Sequence, residues 1–123
     1  MKLFILLGAL NAFIAVALGA FGAHGLEGKL SERMLEVWKT GVTYHMFHAI
    51  GLVIIGLLIA KFPNVPSFTV AGWAMFIGII LFSGSLYALS TTGIKFFGPI
   101  TPLGGVAFLI AWVFVIIGAL RYL

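Results

Sequence analysis

Four long apolar stretches, separated by short polar breaks, dominate the hydrophobic pattern of this chain. A helix needs about 20 apolar residues to cross the hydrocarbon core of a bilayer, and each stretch has this length. The pattern predicts spanning helices at about residues 3–23, 41–60, 68–90 and 101–120. Little chain is left outside them. We therefore expect an all-α integral membrane four-helix bundle that forms a single membrane domain over residues 1–123.

The break between the first two stretches carries most of the charge. Residues 24–40 hold six of the ten charged side chains, and apolar residues recur on one helical face from Leu30 to Trp38. Ser31 is well suited to be an N-cap. This pattern predicts a short interfacial amphipathic helix over about 31–39, lying on the bilayer surface between helices 1 and 2.

The other helix ends have their own signals. Pro63 and Pro66 stop the second helix. Thr101 is predicted as the N-cap of the fourth helix, with Pro102 at its first position. The first apolar run continues past a small-residue site near Ala17, so we interpret it as an uncleaved helix rather than a signal peptide.

The composition supports a membrane class and excludes several others. The chain is 63% hydrophobic and 8% charged, which is too little charge to cover a soluble fold. The net charge of +4 comes from residues scattered at helix ends, so we expect the lipid bilayer, and not nucleic acid, to be the partner. Cysteine and aspartate are absent, which excludes thiol chemistry and a Ser-His-Asp triad. We expect no enzymatic activity and assign no cofactor.

Small residues recur every four positions within the apolar stretches. They predict close helix packing, because in lipid it is close backbone approach that holds helices together. They also offer faces for a homo-oligomer. The residues are Gly8 and Ala12; Ala15, Gly19 and Ala23; Gly84 and Ala88; and Ala107 and Ala111.

The polar residues of the spans fall in one half of the bundle. With four spans, the two longer connections lie on one side of the membrane, here called the loop side, and the termini on the other. Polar side chains facing lipid are costly, so we expect them to face inward. The predicted polar pocket, a hypothetical ligand site, consists of His24, Tyr44, His48, Ser83, Tyr87 and Asn11.

Three functions are compatible with this pocket. It can bind or pass a small molecule or ion, or its residues can simply bond one another in a structural or assembly subunit. The third is haem, quinone or metal binding through His24, His45 and His48, since His45 and His48 are neighbours on one helix face. The spans contain no carboxylate to complete a metal site.

Four stretches of the chain carry a family resemblance. They are Gly19-Ala20-Phe21-Gly22-Ala23-His24-Gly25-Leu26, Tyr44-His45-Met46-Phe47-His48-Ala49, Ser83-Gly84-Ser85-Leu86-Tyr87 and Gly98-Pro99-Ile100-Thr101-Pro102-Leu103-Gly104-Gly105. The chain resembles the YwdK/YgdD-like family of small bacterial membrane proteins, domain of unknown function family 423. The resemblance implies a four-helix protein of the bacterial plasma membrane and no particular activity. His45 stands where the family often has Gln, so the resemblance favours His24 and His48 as ligand residues.

The distribution of positive charge bears on how the bundle is oriented in the membrane. The terminal side carries Lys2, Lys61, Arg121 and the α-amino group, and the loop side carries four Lys and Arg residues. Those on the loop side belong mainly to one amphipathic segment that can rest on either leaflet, and the Met1-Lys2 start is typical of a first helix inserted from inside. We predict that both termini are cytoplasmic.

Overall fold

A computed structural model describes residues 2–123; Met1, part of the Met1-Lys2 start on which the predicted orientation depends, lies outside them. The chain forms four long helices: α1 (Lys2–His24), α2 (Glu32–Lys61), α3 (Pro66–Thr92) and α4 (Ile100–Tyr122). A short 3-10 turn at Lys95–Phe97 precedes α4. All four helices are long and apolar enough to span a membrane, and the described part of the chain contains no strand. The predicted all-α membrane fold is confirmed.

The separate interfacial helix predicted over 31–39 is not confirmed, because these residues are the first turns of α2. Ser31 does cap this helix, and its hydroxyl accepts a hydrogen bond from the Met34 backbone N–H at 3.1 Å. The Thr40 hydroxyl donates to the Glu36 carbonyl, so the backbone stays helical across the predicted boundary. A change from polar to apolar surface does not end a helix without a residue that breaks the backbone, and this stretch has no proline.

A π-helical turn at Ile79–Ser83 widens the middle of α3, a feature that the hydrophobic pattern does not predict. Such a turn holds one extra residue and rotates the following helix face. At the last residue of the turn, the Ser83 hydroxyl donates to the Gly41 carbonyl at 2.8 Å, and beyond the turn Tyr87 faces α2. The turn therefore sets which side chains α3 presents to α2.

The start of α4 also differs from the prediction. Pro99 occupies the N-cap position and Thr101 lies inside the helix, so Thr101 is not the N-cap. The 3-10 turn leads the backbone into helical geometry early, which frees the Thr101 hydroxyl for a contact with α3. That hydroxyl lies 2.6 Å from the Ser85 hydroxyl.

Glycines allow the closest helix approaches. α1 packs mainly against α2, α4 packs mainly against α3, and α2 contacts α3. A Cβ on Gly8 would lie 2.7 Å from the Ala49 carbonyl oxygen, and one on Gly104 would collide with the Phe82 backbone. These contacts confirm the packing role predicted for Gly8. The same prediction is wrong for Gly84, which is exposed and would place its Cβ in open space because no helix packs closely against it.

Most of the apolar core lies in the half of the bundle nearest the termini, and Phe108 extends it to the loop-side half. Leu52, Phe68 and Met75 are fully buried there. Further buried side chains of this core are Phe4, Ile55, Ile59, Val65, Ala71, Ile79, Phe108 and Ala111. The polar residues of the spans are thereby left to the loop-side half, where the candidate site lies.

Candidate functional site

The two histidines of α2 are both buried but turn towards different neighbours. His45 is 4% exposed and contacts α1 and α3, whereas His48 is 3% exposed and contacts α4. Two positions three residues apart on a helix differ in direction by about 60°, which is enough to separate their partners. The single polar pocket predicted from the sequence is therefore two sites.

The first site is a hydrogen-bonded cluster of Asn11, His45 and Tyr87. The Asn11 side-chain amide donates to the Leu7 carbonyl at 2.8 Å, which leaves its Oδ1 facing His45 Nε2 at 2.9 Å. His45 Nε2 must therefore carry the proton. In the neutral ring Nδ1 is then an acceptor, and the Tyr87 hydroxyl donates to it at 2.9 Å. Three spans are tied together through one imidazole.

The second site holds His48 in the opposite tautomer. His48 Nδ1 donates to the Tyr44 carbonyl at 2.8 Å, and Nε2 accepts a hydrogen bond from the Trp112 indole N–H at 3.1 Å. The imidazole also stacks on the Phe108 ring, with centroids 3.6 Å apart and planes 4° from parallel. The imidazole is fixed in position and in protonation pattern by these three contacts.

A groove beside His48 separates α2 from α4, and we call it the aromatic groove. Its volume is about 580 Å³. It is open at the side, where Tyr44, Phe47 and Leu109 are exposed. Its lining consists of Thr43, Tyr44, Phe47, His48, Phe82, Gly105, Phe108, Leu109 and Trp112. The lining thus combines five aromatic rings with one imidazole and contains no charged side chain.

A smaller cavity of about 280 Å³ lies beside the Asn11–His45–Tyr87 cluster. Gly84 and Ser83 of α3 form part of its wall, together with apolar residues of α1. Its surface is mostly apolar because the polar atoms of the cluster are bonded to one another. The cavity has little to offer a polar ligand.

The structure brings together some of the predicted site residues and not others. Asn11 and Tyr87 meet, but through His45 rather than through His48. Tyr44 lines the aromatic groove beside His48, and Ser83 bonds the backbone of α2. His24 is exposed at the end of α1 and joins neither site. Its place at a helix end, away from the helix–helix contacts, is the physical reason.

The sequence pattern gives His45 only a minor place and does not predict Trp112 as a site residue. The family resemblance favours His24 and His48 over His45, but His45 is the centre of the first cluster. Trp112 carried a usable signal, because an indole N–H inside a membrane span needs an acceptor. His48 was the acceptor available on a neighbouring span.

The hydrogen bonds also bear on metal or haem binding. Both nitrogens of His45 and both nitrogens of His48 are bonded to protein atoms, so a ligated metal would have to displace one of these bonds. Across residues 2–123, no three His, Cys, Asp or Glu side chains are grouped to hold a metal ion. The donor set does not fit a metal or haem site.

Comparison with known proteins places the chain in a family. The family model described as "Protein of unknown function (DUF423)" matches residues 18–105. The chain belongs to the DUF423 family. The UPF0382 membrane protein YwdK of Bacillus subtilis is 59% identical over 123 residues, covering all of both chains. The UPF0382 membrane protein SERP0230 of Staphylococcus epidermidis is 51% identical over 99% of this chain and 98% of its own.

A third DUF423 relative, the UPF0382 membrane protein SAB0533 of Staphylococcus aureus, is 53% identical with the same coverage, 99% and 98%. No solved structure matches the chain. The relatives' names and the four apolar helices agree that this DUF423 chain is a multi-pass membrane protein.

Proposed function

We propose that this protein binds a small lipid-soluble molecule, taken up from the bilayer, in the aromatic groove and catalyses no reaction on it. The proposal rests on the size and lining of the groove. Its volume of about 580 Å³ lies in the range of small-molecule sites, which is roughly 300–1,000 Å³. Aromatic walls with a few fixed polar groups are also typical of such sites.

The rigidity of the groove supports the proposal. His48 is held by Tyr44, Trp112 and Phe108, so one wall is already in place before a ligand arrives. Such preorganisation lowers the cost of binding. Elsewhere α4 packs closely, since Gly104 lies against the α3 backbone. Beside α2 the helices are instead separated by large rings, which leave an open space.

The internal bonding favours binding over the passage of an ion. Passage needs polar atoms that are free to replace the hydration shell of an ion. The polar side chains of the Asn11–His45–Tyr87 cluster satisfy one another instead. The half of the bundle nearest the termini holds the packed apolar core, which offers no polar replacement for water.

A substitution of Gly105 tests the proposal. A Cβ at Gly105 would meet only the Phe82 ring, at 3.9 Å, so Gly105→Leu fills the groove without forcing the helices apart. Gly84→Leu is the matched control, because a Cβ there meets nothing within 4 Å and Gly84 lines the other cavity. Each variant is extracted with its native lipid into nanodiscs, and its bound lipid-soluble compounds are identified by mass spectrometry.

We expect a compound that is retained by the unsubstituted protein and by Gly84→Leu but lost from Gly105→Leu. Identical compounds in all three samples, with equal thermal stability, would overturn the proposal. The structural or assembly subunit would then be the better description. That alternative is favoured by the complete bonding of both imidazoles within the chain, and a homo-oligomer would form through small residues left exposed, such as Ala23.

We also propose that the protein lies in the bacterial plasma membrane with both termini in the cytoplasm. The family's membrane assignment supports the membrane location, and the Met1-Lys2 start, typical of a first helix inserted from inside, supports the orientation. In this orientation the aromatic groove opens in the outer half of the bilayer, since Thr43 and Gly105 lie in the loop-side halves of α2 and α4.

A further inference from the structure

The groove is short along the membrane normal. Its lining extends from Thr43 to His48 on α2 and from Gly105 to Trp112 on α4. The seven helical steps from Gly105 to Trp112 rise by about 10 Å, which is less than the thickness of one leaflet's hydrocarbon. The groove therefore fits a compact ring system rather than a whole acyl chain, and any alkyl tail would stay in the surrounding lipid.

The lining favours a flat shape. The rings of Tyr44, His48 and Phe108 are parallel to one another within 14°. Phe82 is tilted by 45° to Tyr44, and Trp112 by 56° to His48, so these two close the sides. Aromatic rings pack best in offset-stacked and edge-to-face arrangements, and this set offers both to a planar molecule.

The charge and hydrogen bonding of the lining define the polar end. No charged residue lines the groove, so a charged ligand would be desolvated without a counter-charge. The donors of Thr43, His48 and Trp112 are already used within the protein. Tyr44 is 43% exposed, and its hydroxyl bonds no other described residue. Long side chains lean towards the start of their helix, so we expect this hydroxyl at the loop-side end of the groove.

We infer that the ligand is an uncharged planar ring compound whose edge carries a hydrogen-bond acceptor, held by the Tyr44 hydroxyl at the loop-side end of the groove. The inference rests on the proposed function. The ring lies against the parallel faces, and the acceptor points towards the headgroups, as it would in the bilayer. The interaction is binding alone, with no transfer of electrons or groups.

Three related probes test the ligand class. 2-Acetylnaphthalene is planar and has a carbonyl acceptor, 2-ethylnaphthalene is planar without an acceptor, and 2-acetyldecalin has the acceptor without planarity. Retention of each probe is measured in nanodiscs that contain the protein, with empty nanodiscs of the same lipid subtracted. The unsubstituted protein is compared with Tyr44→Phe, which keeps the ring and removes the hydroxyl, and with Gly105→Leu.

We expect 2-acetylnaphthalene to bind the unsubstituted protein about three- to tenfold more tightly than 2-ethylnaphthalene, the size of one hydrogen bond. We expect a similar factor over 2-acetyldecalin, the size of an aromatic stacking contact. In Tyr44→Phe its affinity should fall to that of 2-ethylnaphthalene, whose own affinity should not change. In Gly105→Leu all retention above that of empty nanodiscs should disappear.

Two outcomes separate this inference from the proposed function. Equal binding of all three probes, lost in Gly105→Leu, would overturn the inference and leave the groove as a binding site. If no probe binds but a native compound is lost from Gly105→Leu, the inference is again overturned and the groove is still a binding site. Absence of both probe binding and a native compound would overturn the proposed function as well.

Discussion

At the scale of single residues, a buried imidazole in a membrane bundle is stable only when both of its nitrogens are bonded. His45 meets this requirement with side chains from α1 and α3, and His48 meets it with a backbone carbonyl and an indole N–H. The two rings thus carry their protons on different nitrogens. Which nitrogen carries the proton is set by the groups that bond each ring, and not by the position of the histidine in the chain.

We expect His45→Gln to preserve the first cluster and His45→Leu to break it. A Gln amide offers one donor for Asn11 Oδ1 and one acceptor for the Tyr87 hydroxyl, with a spacing close to that of the ring nitrogens. Leu leaves both partners unpaired, and hydrogen bonds between membrane helices contribute about 0.6 kcal/mol on average, with a maximum near 1.7. His45→Leu should lower the free energy of unfolding by about 1–3 kcal/mol.

The measurement is unfolding in mixed micelles, with the detergent fraction as denaturant. His45→Gln should stay within about 0.5 kcal/mol of the unsubstituted protein, because it keeps both hydrogen bonds. Equal losses for Gln and Leu would show that the cluster contributes by packing alone.

The His48–Trp112 hydrogen bond should appear as a coupling energy. We expect His48→Phe and Trp112→Phe each to destabilise the protein, and the double variant to lose less than the sum of the two. The sum of the two single losses should exceed the loss of the double variant by about 1 kcal/mol, because each single variant removes the same interhelical hydrogen bond. Simple additivity in the same unfolding assay would mean that this bond does not contribute to stability.

At the scale of elements, α3 is shaped by its π-helical turn and by the glycines of α4. The turn at Ile79–Ser83 directs Phe82 towards α4 while Ser83 bonds α2. Gly104 packs on the Phe82 backbone, and Gly105, the next residue, lies at the open groove. One face of α4 is therefore tightly packed, and the adjacent face leaves space.

These adjacent glycines should respond to Ala in opposite ways. Gly104→Ala should destabilise the protein by about 1–3 kcal/mol, because its methyl group would collide with the α3 backbone. Gly105→Ala should be neutral or stabilising by up to about 1 kcal/mol, since alanine is the better helix former and its methyl group meets only ordinary contacts. Thermal unfolding of the two variants in one detergent is the measurement. Similar effects at both positions would contradict the packing described here.

At the scale of the whole molecule, the bundle divides into an apolar half and a polar half. The core around Leu52, Phe68 and Met75 lies near the termini, and both histidine sites lie towards the loop side. Four crossings place residue 64 with the termini and residue 96 on the opposite side. The orientation of the bundle therefore decides which leaflet gives access to the groove.

We expect cysteine labelling to confirm this topology with the termini inside. The chain has no native cysteine, so Asn64→Cys and Phe96→Cys each introduce a single reactive site in an exposed connection. In intact cells a membrane-impermeant maleimide should label Phe96→Cys and reach Asn64→Cys only after permeabilisation. The reverse pattern would invert the orientation, and equal labelling of both would contradict four crossings.

The sequence by itself determined the helices of this protein and the segregation of its polar residues. Length and hydropathy define a spanning helix because the thickness and apolar interior of the bilayer set what each must be. The Ser31 cap depends only on residues next to it in the chain. Polar residues near one end of each span must meet in the same half of the bundle. None of these features depends on how one helix is rotated against another.

Only the tertiary structure decided which polar residues meet. Asn11 and His45 are 34 positions apart and His48 and Trp112 are 64 apart, so their pairing depends on helix rotation and crossing. The π-helical turn, the continuous α2 and the exposure of His24 likewise follow from contacts between helices or from backbone continuity. The aromatic groove exists because rings from α2, α3 and α4 keep two helices apart, and the packing of distant residues alone sets that distance.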